Sequence, residues 1–104
     1  QVTRHKLADM AARIDAARWI VYQTASRFDK KNCDPRMSAV AKLTAASSAM
    51  AVTDEAVQLL GGYGYMTEYE IEHFYRDAKT LEIFMGTAGV LKDIIADTVI
   101  GKLK

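Results

Sequence analysis

The sequence has one cysteine, one proline and two histidines among its 104 residues. The single cysteine, Cys33, excludes a disulfide within the chain and a zinc site built from cysteines, and it indicates a reducing intracellular setting. His5 and His73 follow no metal-binding spacing, so each is interpreted as a surface or interface residue. No apolar run approaches the ~20 residues of a membrane span. The net charge of +1 gives no electrostatic case for nucleic-acid binding.

What the sequence does contain is typical of one small helical domain. Half of its residues are hydrophobic, 26% are charged, and 16 are alanine. Alanine has the lowest cost in a helix, whereas proline interrupts one, so this composition favours an all-α fold. The chain begins at Gln1 without methionine and shows no signal-peptide pattern. A processed or excised fragment is therefore one interpretation.

Two long helices are predicted from heptad spacing. Residues 3–29 place an apolar residue at every seventh position, with a second line between them; these residues are Leu7, Ile14, Val21 and Phe28, then Met10, Ala17 and Thr24. Such a seam predicts an amphipathic helix. Residues 35–60 begin with a proline after Asp34, a good N-cap, and end at Gly61. Because residues 45–49 are all small, we expect this second helix to be central.

Two further helices are predicted in the second half of the chain. Thr67 is expected to cap a short acidic helix over residues 68–78, with Glu70 as its capping-box partner. Thr87 is expected to cap a last helix over residues 87–102. Together the four segments predict an up-and-down all-α bundle of three long helices and one short one.

The glycine turn, Gly61–Tyr65, separates the two halves. Three glycines indicate unusual backbone angles or a close backbone approach. Two interpretations remain open: an ordinary helix C-cap with a turn, or a platform for a planar or phosphorylated ligand. Two interpretations also remain open for the Gly86–Thr87 pair: ordinary helix capping, or a site for an electron-rich group at a helix N-terminus. The carboxylates of Glu68, Glu70 and Glu72 are interpreted as a solvated helix start.

Three stretches carry a resemblance to a known family. They are Gln58-Leu-Leu-Gly-Gly-Tyr-Gly-Tyr-Met-Thr-Glu68, Tyr75-Arg-Asp-Ala-Lys79 and Glu82-Ile-Phe-Met-Gly-Thr87. Together with the opening Lys6-Leu-Ala-Asp-Met10, they resemble the C-terminal helical domain of the acyl-CoA dehydrogenases. The resemblance covers essentially the whole chain, 1–104, and implies a domain that is incomplete at its N-terminal side and lacks the bundle's first helix.

The resemblance implies an activity and its partners. Members are FAD-dependent oxidoreductases that remove hydrogen across the α–β bond of an acyl-CoA thioester. They pass electrons to electron-transfer flavoprotein and assemble as homo-oligomers, typically tetramers. The implied location is the bacterial cytoplasm or the mitochondrial matrix. The isolated chain is expected to be inactive.

The resemblance also assigns residues to roles. Those implied to contact FAD are Gln1, Gln58, Leu59, Leu60, Gly61, Gly62, Thr87, Ala88 and Gly89. Residues 58–62 are implied to do so across a subunit interface. Met85 and Gly86 are implied to lie beside the acyl thioester.

Several positions depart from the family pattern. Met85 stands where many members have the glutamate that removes the α-proton, and methionine has no group that can act as a base. No catalytic residue is therefore assigned within this chain; some members place the base on the bundle's first helix instead, and Glu82 is a poor substitute. Ala88 and Gly89 replace the usual polar residues near the flavin. These departures keep an alternative open: a non-catalytic or partner-dependent member whose bundle serves mainly in assembly.

Overall fold

A computed structural model describes residues 1–102, which form four α-helices and two short 3-10 turns. The elements are α1 (Val2–Asp29), α2 (Pro35–Leu60), the glycine turn (Gly61–Tyr65), a second 3-10 turn (Thr67–Tyr69), α3 (Ile71–Ile83) and α4 (Ala88–Val99). The described residues include no strand, so the all-α prediction is confirmed. None of the helices in this range combines the length and the apolar character that crossing a membrane requires.

The first two helices form an antiparallel hairpin. Lys6, near the start of α1, forms an ion pair with Glu55, near the end of α2. At the opposite end of the hairpin, the Thr24 hydroxyl lies 3.5 Å from the Met37 carbonyl oxygen. The described part of the molecule is accordingly elongated, measuring 49 × 25 × 24 Å.

Both ends of α2 follow the sequence prediction. The Asp34 carboxylate accepts a hydrogen bond of 2.9 Å from the Arg36 amide, and Pro35 occupies the first helical position, where its missing N–H has no cost. Gly61 ends the helix with a φ of 59°, a left-handed conformation that glycine adopts without a steric penalty.

Helix α2 is central, as its small residues predicted. It packs against α1, α3, α4 and the glycine turn. Small side chains allow the neighbouring helices to approach closely, and five of the six buried hydrophobic residues are alanines. The buried hydrophobic residues within the described chain are Ala17, Ala39, Ala41, Ala46, Ala78 and Leu91.

Only half of the predicted seam of α1 is covered. Ala17 is buried and its line of neighbours, Met10 and Thr24, is half-buried against α2. The other line stays open, with Leu7 52% and Phe28 69% exposed. A single neighbouring helix covers only one of two adjacent lines on an α-helix, so an apolar face of α1 remains uncovered.

The boundaries of the last two helices differ from the prediction. The capping box at Thr67 is replaced by a 3-10 turn, because Glu70 adopts a left-handed φ of 59° and cannot continue a helix from residue 68. Helix α3 therefore begins at Ile71 and runs on to Ile83, beyond the expected end at 78. Helix α4 has 12 residues, ends at Val99, and is short rather than long.

Candidate functional site

Two of the three glycines in the glycine turn have structural reasons to be glycine. Gly61 needs its positive φ, as described for the end of α2. Gly64 is buried, and a Cβ atom there would lie 2.5 Å from the Val57 carbonyl oxygen. Such a distance is far inside van der Waals contact, so the backbone of the turn reaches α2 only because this side chain is absent. The expectation of unusual angles and a close approach is confirmed at these two positions.

Gly62 has no such internal reason. Apart from adjacent residues and the backbone of its own turn, no atom of the described chain lies within 4 Å of a Cβ atom built on Gly62, and the φ of Gly62 is not positive. Gln58 and Leu60 are exposed beside it, whereas Leu59 is half-buried and anchors the last turn of α2. The turn therefore presents bare backbone to the outside, which suits the close approach of a flat or anionic group.

Gln1 lies at the same end of the molecule as the glycine turn. It precedes α1, and its carbonyl oxygen accepts a hydrogen bond of 3.0 Å from the His5 amide. Because Lys6 contacts Glu55, the antiparallel hairpin brings the start of α1 towards the end of α2. The structure thus groups Gln1 with residues 58–62.

A groove between α2, the glycine turn and α3 was missed by the sequence reasoning. Its volume is about 500 Å³. Its polar lining includes Asp54, Thr67, Glu72 and Arg76. Arg76 belongs to the Tyr75–Lys79 stretch, but nothing in that stretch alone shows that Arg76 lines a groove together with Asp54, which lies 22 positions earlier in the chain.

The second candidate segment is the Met85 loop, residues 84–87, which joins α3 to α4. Phe84 is extended, Met85 has a φ of 54°, and Gly86 has a φ of 107°. Met85 is 83% exposed, so its side chain projects from the loop. A left-handed methionine is uncommon, because its Cβ atom crowds the backbone; such conformations concentrate at functional sites.

Thr87 occupies the N-cap position of α4, as predicted. Within residues 1–102 its hydroxyl makes no hydrogen bond that caps the helix, although its carbonyl oxygen accepts from the Leu91 amide at 3.1 Å. Ala88 and Gly89 follow it and are exposed. The first amide groups of a helix have no partner inside it, so this end of α4 offers donors and a hydroxyl to an outside acceptor.

Glu82, the carboxylate nearest to Met85 in the sequence, is already engaged. Its Oε2 accepts a hydrogen bond of 2.7 Å from Lys79 Nζ. This hydrogen bond, with the charge of Glu82, raises the pKa of Lys79 above its usual value. Glu82 thus lies in an ion pair within the last turns of α3, and the interpretation of Glu82 as a poor substitute for the missing base stays a prediction.

Lys42 is a second residue that sequence reasoning missed. Its Nζ donates a hydrogen bond of 2.6 Å to the Leu81 carbonyl oxygen and lies 4.4 Å from the centroid of the Phe84 ring. No local signal reveals it, because Lys42 is an isolated basic residue in a small-residue helix, 39 positions before Leu81.

One copy of the chain does not bring the two candidate segments together. Ala88 lines a small cleft with Ala46 of α2, whereas the glycine turn begins after Leu60. The 12 residues from Ala46 to Gln58 rise by about 18 Å along the helix. The two segments therefore lie well apart within one molecule.

Several known proteins are similar to this chain over most of its length. Cyclohexane-1-carbonyl-CoA dehydrogenase of Geobacter metallireducens is 38% identical over 92% of this chain and 25% of its own length. The human short-chain specific acyl-CoA dehydrogenase, a mitochondrial protein, is 42% identical over 92% of this chain and 23% of its own length. The butyryl-CoA dehydrogenase structure from Megasphaera elsdenii superposes with a TM-score of 0.93 at 40% identity, covering 96% of this chain and 26% of that one.

The chain spans about a quarter of the length of these relatives. The sequence model described as acyl-CoA dehydrogenase, C-terminal domain, matches residues 1–100. The match contains the glycine turn, the Met85 loop and the start of α4. The chain therefore belongs to the acyl-CoA dehydrogenase family.

Proposed function

We propose that this chain is the C-terminal helical domain of an FAD-dependent acyl-CoA dehydrogenase. In that reaction the thioester loses a proton from its α-carbon and a hydride from its β-carbon, and a double bond forms between them. FAD, when bound, supplies the hydride acceptor, and electron-transfer flavoprotein takes the electrons onward. The observation that carries the proposal is the similarity to two CoA-thioester dehydrogenases over 92% of the chain.

The open backbone at the glycine turn fits a flavin. A side chain at Gly62 would fill space that the described chain leaves free, so a flat group outside the chain can approach the bare backbone there. Gln58 and Gln1 add exposed amide side chains at the same end, which can donate to and accept from a ring or phosphate. In the proposed site, Gln1 and residues 58–62 hold one part of FAD, with Leu59 and Leu60 as its apolar support.

The start of α4 fits a second part of a flavin cofactor. Thr87 offers a hydroxyl, and the first amides of α4 point outward with the positive end of the helix dipole. Ala88 and Gly89 have little or no side chain, so they permit a flat ring to approach the helix end. We assign residues 87–89 to a second flavin contact.

Met85 and Gly86 are assigned to the acyl-CoA thioester. The exposed methionine provides an adaptable apolar surface for the acyl chain, and its thioether cannot accept the α-proton. We assign the proton acceptor to a residue outside this chain, because Met85 stands at the usual position of the base and has no group that can take a proton. In this assignment the loop positions the substrate and takes no proton.

Homo-oligomeric assembly completes the proposal. Because the two flavin segments lie about 18 Å apart along α2, they cannot contact the same part of one flavin within one copy. We assign the glycine turn of one copy to the flavin site of its partner, in a homotetramer. The relatives come from a bacterium and a mitochondrion, so the bacterial cytoplasm or the mitochondrial matrix is the proposed location.

Anaerobic titration of the intact, flavin-loaded protein with acyl-CoA thioesters tests this function. We expect bleaching of the oxidised flavin absorbance and formation of the α,β-unsaturated thioester. The 104-residue chain alone is expected to show no turnover with an artificial electron acceptor. Flavin that stays oxidised with short, branched, cyclic and long thioesters would contradict the proposal.

The same titration decides the alternative, a non-catalytic or partner-dependent member. Met85 in place of an acidic residue, and Ala88 and Gly89 in place of polar ones, are the observations that favour it. That alternative predicts an assembled protein whose flavin is absent or is not reduced by any thioester. Reduction that appears only after mixing with a second, related subunit would identify partner dependence.

A further inference from the structure

The Met85 loop is tied to the central helix by one side chain. Lys42 Nζ donates to the Leu81 carbonyl oxygen at 2.6 Å and sits 4.4 Å from the centroid of the Phe84 ring. Leu81 lies in the last turn of α3, where carbonyl groups have no partner inside the helix and a positive charge is favourable. A cation over an aromatic face is attractive as well. One ammonium group thus holds both the end of α3 and the first residue of the loop.

The residues on both sides of Met85 are fixed, whereas Met85 itself is free. Before it, the Phe84 amide donates to the Thr80 carbonyl oxygen at 3.1 Å. After it, Gly86 is half-buried and lies over the buried Leu91, so that a Cβ atom on Gly86 would be in ordinary van der Waals contact with the Leu91 side chain at 3.4 Å. A left-handed methionine persists only where its surroundings hold the backbone in place. Lys42 provides that hold on the upstream side.

We propose that Lys42 is a positioning residue for the reacting thioester. It fixes the direction in which the Met85–Gly86 peptide faces the acyl group, acting through the Leu81 carbonyl and the Phe84 ring. The effect of Lys42 on catalysis rests on the proposed function, whereas its restraint of the loop backbone does not depend on that function. An apolar side chain of equal length would fill the same space but would leave the Leu81 carbonyl without its donor, so charge and hydrogen bonding are the properties to test.

Three variants of the intact protein separate these properties. Lys42→Met keeps the stem and removes the charge and the donor. Lys42→Arg restores both. Lys79→Met is the matched control, since Lys79 is near the same loop but, within residues 1–102, forms its ion pair with Glu82 on its own helix.

Hydrogen–deuterium exchange measures the hold on the loop without reference to activity. We expect exchange at the Ile83 and Phe84 amides to rise roughly tenfold in Lys42→Met, with α1 unchanged, and to return near the wild-type rate in Lys42→Arg. Unchanged exchange at these amides overturns the proposal. A uniform rise across all helices also overturns it, because Lys42 would then act on general stability alone.

Steady-state kinetics measure the consequence for the reaction. Misplacing a substrate-positioning loop lowers the rate of the bound complex, so we expect kcat to fall by roughly 10- to 100-fold in Lys42→Met with a much smaller change in KM. Lys42→Arg recovers most of kcat, and Lys79→Met stays near wild type. Local loosening with unchanged kcat overturns the catalytic part. Absence of turnover in the wild type contradicts the proposed function, and the exchange result still decides whether Lys42 holds the loop.

Discussion

Gly64 lies against the backbone of Val57 so closely that a Cβ atom on it would meet the Val57 carbonyl oxygen at 2.5 Å. The contact folds the glycine turn back onto the last turns of α2 and sets where the chain departs towards α3. Two nearby positions are therefore glycine for different reasons. Gly64 allows the turn to pack on α2, and Gly62 leaves the space outside the turn open.

The first prediction separates these two reasons. We expect Gly64→Ala to destabilise the protein by about 1–3 kcal/mol, because the added methyl group forces the backbone of the turn away from α2. Gly62→Ala is the matched control and should change the free energy of unfolding by less than about 1 kcal/mol. Urea unfolding followed by far-ultraviolet circular dichroism measures both. Equal losses in the two variants would refute the close-approach argument.

The second prediction concerns Met85 in the intact enzyme. We expect Met85→Ala to reduce kcat/KM modestly, through lost packing against the acyl chain. General-base catalysis typically contributes 10²–10⁴-fold, so a loss of ~10⁴-fold or more would mean that Met85 takes part directly in the chemical step and would overturn its assignment to packing and acyl positioning. Met85→Glu adds a carboxylate at this position, and we expect the unsubstituted enzyme to be active without it. Steady-state kinetics with an artificial electron acceptor measure all three proteins.

The third prediction concerns the start of α2. Asp34→Ala removes the carboxylate that accepts from the Arg36 amide, and we expect a loss of about 1 kcal/mol. Asp34→Asn, which keeps a side-chain acceptor, should retain most of the stability. Thermal unfolding measures the difference. Equal destabilisation by both substitutions would show that the carboxylate charge, rather than the cap hydrogen bond, is what matters.

The fourth prediction follows from the uncovered face of α1. We expect the 104-residue chain to self-associate, since Leu7, Ile14, Val21 and Phe28 form an exposed apolar line along the helix. A second copy related by a two-fold axis covers the same line on both molecules. Sedimentation equilibrium at micromolar concentrations measures the association. A species of 11.5 kDa at every concentration would contradict it.

Matched variants locate the contact on that face. Ile14→Lys with Val21→Lys should weaken association on the order of 1,000-fold, because a two-fold dimer carries four altered side chains and each covered one contributes about 1 kcal/mol. Trp19→Ser is the control. Trp19 is also exposed but lies about 200° around the helix from Val21. If Trp19→Ser weakens association as strongly, the contact lies elsewhere.

The sequence predicted the helices whose ends carry local chemistry. Asp34 with Pro35 marks the start of α2, and Gly61 marks its end, because capping depends on a few adjacent residues. The central place of α2 also followed from local composition, since a run of small residues indicates close neighbours. The motif residues led to the family in the same way, as contiguous patterns.

What the sequence did not predict depends on distant parts of the chain. The left-handed φ of Glu70 delays the start of α3, and no residue near Thr67 signals it. Lys42 contacts Leu81 across 39 positions. The covered line of α1 could not be told from the uncovered one, because both are apolar and only the placement of α2 distinguishes them.

The distance between the glycine turn and the Met85 loop determines how many half-sites stay unmatched in an assembly of copies. If each chain offers two half-sites to different flavins, an open string of copies leaves one half-site unmatched at each end, and only a closed assembly gives every half-site its complement. A chain impaired at Gly62 and a chain impaired at Thr87, mixed in one closed assembly, would then regenerate some intact sites from two defective parents. Activity recovered by mixing, where neither parent has any, is the signature of sites shared between copies.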